Sequence, residues 1–195
     1  MVGCPHAAGP QHIQDTGPSV SAVVSEVIEH PLDAEALSRR WCEILEDPRF
    51  ADFAGKIDLD RWGRMIVTPV NTEHAGAAGR LARLLEQQLG GRALVEAGVR
   101  TADGVFAPDV LWCTEAFWQA RRTQTPLESA PDICVEIASP SNTIQDLHAK
   151  VRAYLDAAAK EAWIVFPRSQ RVEFYGKAGA LERSAFEVDL TGLFD

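Results

Sequence analysis

The spacing of apolar residues alternates along this chain between a period near 3.6 residues and a period near 2. The longer period predicts helices over 32–45, with Asp33 as the N-cap, over 73–89 and over 142–159, with a shorter helix over 114–122. In the 142–159 helix the apolar stripe comprises Ile144, Leu147, Val151, Tyr154, Leu155 and Ala158. Residues three, four and seven apart share one helix face, so this stripe should face the core.

The shorter period predicts a hairpin over 56–67, followed after the second helix by a series of strands. These strands cover 92–101, 108–113, 132–139, 161–167, 171–176 and 181–190, with a turn over 102–107. The helix between 132–139 and 161–167 predicts that these two strands run parallel. The order of elements therefore indicates an α/β fold in which a mixed central β-sheet is flanked by helices.

Composition sets the overall class of the protein. The chain has 195 residues, of which 46% are hydrophobic and 24% charged. Residues 1–20 are rich in Gly, Pro and Ala and lack periodicity, so we expect a flexible arm there and a single domain over 21–195. We see neither a secretory signal nor an apolar run of the roughly 18 residues that a membrane span needs, which favours a cytoplasmic protein.

Charge and cysteine usage narrow the function. The four cysteines lack CxxC spacing, which argues against a common type of zinc site. The formal net charge is −9, whereas a protein that binds nucleic acid without sequence preference normally has a basic surface. A nuclease remains compatible with this charge, because bound divalent cations neutralise carboxylates locally.

Acidic residues occupy unusual positions in the predicted strands. Asp109 and Asp132 each follow a proline at the start of a strand, and Glu136 lies within an apolar run. If the two strands are neighbours, Asp109 and Glu136 converge at one edge of the sheet. Paired carboxylates call for a shared proton or a bound cation, and oxygen ligands suit Mg²⁺ or Mn²⁺.

Lys150 can reach this edge from the helix that follows Glu136. At about 100° per residue, Lys150 lies roughly 80° from the middle of the buried stripe, where its stem can lie against the sheet. Simpler interpretations stay open for each residue alone. Glu136 can be an edge residue, Lys150 a solvated helix residue, and Asp132 a residue that only starts its strand.

Four segments of the chain resemble the Uma-two family of restriction-endonuclease-like proteins, within the PD-(D/E)XK nuclease superfamily. They are APDVLW (107–112), APDICVEIASPSN (130–142), DLHAKVRAYLDAAAKEAWIVFP (146–167) and RVEFYG (171–176). The match runs from about residue 56 to 176, with GKIDLDRWGRMIVTPVNTEH in front. The resemblance implies a restriction-endonuclease-like core.

The resemblance also implies a set of site residues. Asp109 would be the acid of the PD element, and Glu136 the acid of the (D/E)XK element. This chain departs from the superfamily pattern at Ala138, where a lysine is expected, and Lys150 matches the position of a relocated lysine. The resemblance adds His74 as a further catalytic candidate, and Asp58 and the main-chain carbonyl of Ile137 as metal ligands beside Asp109 and Glu136.

The implied function is hydrolysis of phosphodiester bonds in nucleic acid, most simply DNA, by an endonuclease that uses Mg²⁺ or Mn²⁺. The alternative is a catalytically silent module that keeps the nuclease fold for binding or regulation. A homodimer is compatible with the sequence. Three aromatic residues are candidates for a subunit interface or for the core: Trp112, Phe117 and Trp118.

Overall fold

The computed structural model of the chain describes residues 30–50, 55–69, 71–140 and 142–194. The predicted arm, 1–20, lies outside these residues. Among them are the four predicted helices: α1 (Ala34–Glu46), α2 (Thr72–Leu89), α3 (Glu115–Arg121) and α4 (Ile144–Asp156). Each begins at a side chain that accepts a hydrogen bond from a main-chain N–H three residues ahead, and these N-caps are Asp33, Asn71, Thr114 and Thr143. None of the described helices is both long and apolar enough to span a membrane.

The strands of the described residues form two sheets. The smaller sheet is antiparallel and contains, in spatial order, β2 (Met65–Thr68), β1 (Lys56–Asp60), β5 (Gly104–Phe106) and β4 (Val99–Thr101). The larger sheet contains β10 (Gly179–Leu181), β9 (Arg171–Gly176), β8 (Glu161–Phe166), β7 (Ile133–Ile137), β6 (Val110–Cys113) and β3 (Arg92–Leu94). It is a mixed sheet, because β7 and β8 run parallel while its other pairs are antiparallel. The prediction of an α/β fold with a mixed sheet and flanking helices is confirmed.

The prediction of one continuous strand over 92–101 is wrong. This stretch contributes β3 to the larger sheet and β4 to the smaller one. Between them Glu96 adopts a left-handed conformation with φ of 55°, and its N–H donates to the carbonyl oxygen of Pro108 at 3.2 Å. A left-handed residue cannot continue an extended strand, so the chain changes sheets here.

The prediction of a strand over 181–190 is also wrong, since only Leu181 belongs to a strand, β10. The segment that follows is held instead by the buried carboxylate of Glu161 in β8. This carboxylate accepts hydrogen bonds from the Ser184 hydroxyl and the Ala185 N–H, both at 2.7 Å. The alternating apolar residues of the segment pack over the α2 face of the larger sheet without pairing as a strand: Phe186, Val188 and Leu190.

Helices cover both faces of the larger sheet. Ile133, Val135 and Ile137 of β7 pack on the face covered by α2, whereas Cys134 packs on the face covered by α4. This alternation directs the side chain of Glu136 toward α4, as the two-residue period predicts. Two members of the predicted α4 stripe are not buried: Ile144, at the first residue of the helix, is 53% exposed, and Ala158 lies beyond the end of α4 and is exposed.

A third apolar cluster joins α1 to the smaller sheet through Leu37, Trp41 and Leu59. This packing holds α1 against β1 and β5 of the smaller sheet. Trp112 belongs to the core, where it is 5% exposed and its indole N–H donates to the Gly90 carbonyl oxygen at 2.7 Å. Trp112 is therefore not a surface residue available for a subunit interface.

Candidate active site

The two acids at the centre of the predicted site lie on neighbouring strands and converge. β6 and β7 are antiparallel, with Val110 opposite Val135, so Asp109 and Glu136 come to the same region of the sheet. Asp109 Oδ1 lies 2.5 Å and Glu136 Oε2 lies 3.1 Å from one atom, Nζ of Lys56. Both carboxylates are buried, with exposures of 1% and 3%. The two acids thus share one cation.

The Asp109 carboxylate is fixed on both oxygens. Its Oδ2 accepts a hydrogen bond from the Ile137 N–H at 2.6 Å, and its Oδ1 lies 3.2 Å from Nε2 of His74. His74 stands in the first turn of α2, where its N–H donates to the N-cap side chain of Asn71. Burial alone would raise the pKa of Asp109, but the hydrogen bond from His74 and the charge of Lys56 outweigh burial and lower it to about 2. The same hydrogen bond raises the pKa of His74.

The Glu136 carboxylate has donors on both oxygens as well. Its Oε1 accepts a hydrogen bond from the Tyr154 hydroxyl at 2.5 Å. Its Oε2 accepts from the ammonium groups of Lys56 at 3.1 Å and Lys150 at 3.4 Å. Burial and the charge of Glu136 hold the pKa of Tyr154 well above its ordinary value, so this hydroxyl stays a donor. Lys150 and Tyr154 are four residues apart, which places both on the same face of α4.

Lys150 connects Glu136 to Asp58. Its Nζ lies 2.7 Å from Asp58 Oδ2, and Asp58 Oδ1 in turn accepts the Ala107 N–H at 2.7 Å. Asp58 is 2% exposed, whereas the Lys150 side chain is 19% exposed. Both residues border the adjoining cleft, and Lys150 is the more exposed of the two. That cleft has a volume of about 520 Å³, and its wall includes Ile66, Val67 and Phe106.

Lys56 is the residue of this network that sequence reasoning missed. It is 5% exposed and belongs to β1 of the smaller sheet. Burial lowers the pKa of the Lys56 ammonium, but the charges of three nearby carboxylates outweigh burial and raise it above its ordinary value. The available signal was the spacing, because residues two apart on a strand share a face and Lys56 precedes Asp58 by two. Tyr154 was recognised as buried, but not as a partner of Glu136.

Asp132 lies at the other end of β7 and does not join the network. Its Oδ1 pairs with the Lys160 ammonium at 2.7 Å, and its Oδ2 accepts the Thr114 N–H at 3.2 Å. These contacts tie the start of β7 to the beginnings of α3 and β8. The simpler interpretation of Asp132, a residue that starts its strand, agrees with this position.

The donor chemistry of the network fits a divalent cation, with one condition. Asp109 Oδ1 and Glu136 Oε2 are oxygen ligands aimed at a common point, as Mg²⁺ or Mn²⁺ requires. Three carboxylates, of Asp58, Asp109 and Glu136, face two ammonium groups. The condition is that the Lys56 ammonium, which lies at this common point in the structure, moves away when the ion binds. In the described ranges no group of three or more His, Cys, Asp or Glu side chains is arranged to hold a metal ion.

Comparison with known proteins identifies the family. The sequence model of the family Uma2, described as "Putative restriction endonuclease", matches residues 37–192. The chain belongs to the Uma2 family. The predicted resemblance is thus confirmed, and the match extends beyond 56–176 at both ends. No protein with curated annotation matches the chain.

A solved structure supports the fold of this Uma2 protein. It is the crystal structure of "a putative nuclease belonging to DUF820" from Anabaena variabilis. The TM-score is 0.55 at 16% sequence identity, and the match covers 70% of this chain and 82% of the other. At this identity the likeness shows the fold alone. The predicted nuclease-type fold is confirmed.

Proposed function

We propose that this Uma2 protein is an endonuclease that hydrolyses phosphodiester bonds in DNA with the help of Mg²⁺ or Mn²⁺. The observation that carries the proposal is the convergence of Asp109 Oδ1 and Glu136 Oε2 on one cation, beside the partly exposed ammonium of Lys150. Membership of a family described as restriction endonucleases supports a nuclease at the coarser level.

Each residue has a distinct role in this proposal. Asp109, Glu136 and the main-chain carbonyl of Ile137 would hold the ion, with Asp58 as a further candidate ligand. Such an ion neutralises charge on the phosphate and lowers the pKa of a bound water. His74 lowers the pKa of Asp109 and, together with the Ile137 N–H, orients its carboxylate, while the Tyr154 hydroxyl orients the carboxylate of Glu136.

Lys150 is the residue proposed to meet the substrate. Asp58 orients its ammonium toward Glu136, and the cleft gives the ammonium access to a phosphate. In the reaction an oxygen of water bonds to phosphorus and one phosphorus–oxygen ester bond breaks. The leaving sugar oxygen then takes a proton. Lys150 would stabilise the negative charge that builds up on the phosphate oxygens.

The alternative is a catalytically silent nuclease fold, and one observation favours it. The two central acids already share the ammonium of Lys56, so part of their charge is offset without an ion. Such a protein would bind or regulate without cleaving.

The deciding experiment is a cleavage assay on the purified full chain. Supercoiled plasmid, linear duplex DNA, single-stranded DNA and RNA are each incubated with Mg²⁺, Mn²⁺ or EDTA. We expect DNA cleavage only with an ion, and a loss of at least about 100-fold in Glu136→Gln and Lys150→Met. The matched control is Lys177→Met, which removes an exposed lysine in a turn and should cleave at the wild-type rate.

Two results would count against the proposal. Absence of cleavage of every substrate with either ion would favour the silent module. Cleavage that survives Glu136→Gln at the wild-type rate would point to a contaminating nuclease.

A further inference from the structure

The ammonium of Lys56 lies at the point toward which the two central acids converge. It is 2.5 Å from Asp109 Oδ1 and 3.1 Å from Glu136 Oε2, and its side chain is 5% exposed. Lys56 comes from β1 of the smaller sheet, whereas Glu136 lies in β7 of the larger sheet and Asp109 directly precedes β6 of that sheet. The lysine is therefore brought to the acids by the packing of the two sheets.

A divalent ion and this ammonium cannot share the two oxygens. Mg²⁺ binds oxygen at about 2.0–2.1 Å and demands near-octahedral geometry. An ion at that distance from Asp109 Oδ1 and Glu136 Oε2 would overlap Nζ of Lys56 and meet its positive charge. The site thus accommodates one of the two cations at a time.

With neither cation at this point, the repulsion between the two acids would be offset by groups that each contact one acid, namely His74 at Asp109 and Lys150 and Tyr154 at Glu136. The two acids are buried at 1% and 3% exposure, and one oxygen of each lies within 2.5 and 3.1 Å of the same atom. Two charged carboxylates at such a separation repel one another strongly. The contacts of Lys56 hold the pair in place. They also weaken metal binding, because an arriving ion has to displace an ammonium that is already bound at the same point.

We infer that Lys56 is a resident cation that positions Asp109 and Glu136 and competes with the divalent ion for them, so that Lys56 sets the affinity of the site for metal. The inference rests on the proposed function, because it takes these acids as metal ligands. Lys56 is a positioning residue in this account, and it takes no part in the bond-breaking step.

The space around Lys56 indicates where its ammonium goes when an ion binds. The adjoining cavity, bordered by Lys56, His74 and Asp109, has a volume of about 20 Å³. That is room for about one water molecule and not for a hydrated ammonium. The displaced ammonium therefore has no room in this cavity, and in our account it moves toward solvent, where a reagent can reach it.

The first test compares metal affinity in Lys56→Met and wild type. Binding of Mn²⁺ is measured by calorimetry and by the electron paramagnetic resonance signal of free Mn²⁺, with Lys177→Met as the matched lysine control. We expect the dissociation constant to fall at least about tenfold in Lys56→Met and to stay unchanged in the control. Equal affinity in Lys56→Met and wild type would overturn the competition.

The second test uses the wild-type protein and so does not depend on a variant that folds. The chain contains four lysines, and Lys160, whose side chain is 66% exposed, is an internal reference for chemical labelling. Acetylation is followed by peptide mass spectrometry in EDTA and with saturating Mn²⁺. We expect labelling of Lys56 to be far slower than that of Lys160 in EDTA, and to rise at least about tenfold with Mn²⁺. Labelling that stays unchanged or slows with Mn²⁺ would overturn the inference.

The outcomes separate this inference from the proposed function. Tighter binding in Lys56→Met together with metal-induced labelling, but no cleavage of any nucleic acid, would support the competition and refute the nuclease. Metal-dependent cleavage with equal Mn²⁺ affinities in Lys56→Met and wild type would support the nuclease and refute the competition.

Discussion

The hydroxyl of Tyr154 gives a quantitative test of the network. It donates to Glu136 Oε1 at 2.5 Å, and neither residue is accessible to water, with exposures of 0% and 3%. In Tyr154→Phe the ring is retained and only this donor is lost. A hydrogen bond to a charged group contributes about 1.5–3 kcal/mol, and a buried carboxylate oxygen without its donor cannot turn to solvent.

We therefore expect Tyr154→Phe to lower the free energy of unfolding by about 2 kcal/mol. For a chain of this size 1 kcal/mol shifts the melting temperature by about 2–4 °C, so the expected shift is about 4–8 °C. The assay is urea and thermal unfolding followed by circular dichroism in EDTA.

The chain offers a closely matched control, because its other tyrosine, Tyr175, also donates to a glutamate. The Tyr175 hydroxyl lies 2.6 Å from Glu173 Oε2 and 3.1 Å from His148 Nε2, but these residues are only partly buried. Water can replace the lost donor there, so Tyr175→Phe should cost less than about 1 kcal/mol. An equal or smaller loss in Tyr154→Phe would refute the view that the Glu136 carboxylate depends on a donor inaccessible to water.

Three further substitutions test the backbone and the electrostatics. Gly104→Ala should cost at least about 2 kcal/mol in urea unfolding, because φ is +143° and the added methyl would collide with the Leu59 carbonyl oxygen. Gly79→Ala, on an open helix surface, should instead gain about 0.5–1 kcal/mol, and a loss at both sites would contradict the reasoning. Because Asp109 raises the pKa of His74 above 6.5, the contact stabilises the protein fully below pH 6.5, and this contribution is lost as pH rises through the raised value. The free energy of unfolding is measured in EDTA across this pH range. The difference between wild type and His74→Gln should narrow as pH rises, and a difference that widens would contradict this account of the contact.

The sequence by itself determined the elements and the main acids. Apolar periodicity is a local property, and it predicted the positions of all four helices and the two faces of β7. The helix between β7 and β8 predicted that these strands run parallel. The alternation along β7 predicted that Glu136 and Ile137 lie on opposite faces of the sheet. The angle between helix residues predicted that Lys150 lies on the flank of its helix, within reach of the sheet. The distance of 3.4 Å between Lys150 Nζ and Glu136 Oε2 agrees with that expectation. The catalytic and metal-binding roles of these residues stay predictions.

Only the tertiary structure decided what the buried glutamate is paired with. The sequence predicted that Asp109 and Glu136 share a metal ion, and this stays a prediction, but the fold adds a partner that the sequence did not indicate, the Lys56 ammonium between them. Lys56 is 53 residues from Asp109 and 80 from Glu136, and it lies in a different sheet. No local period relates residues so far apart, because their proximity depends on how two sheets pack. The break of 92–101 into two strands has the same origin, since the left-handed turn at Glu96 is needed only to reach both sheets.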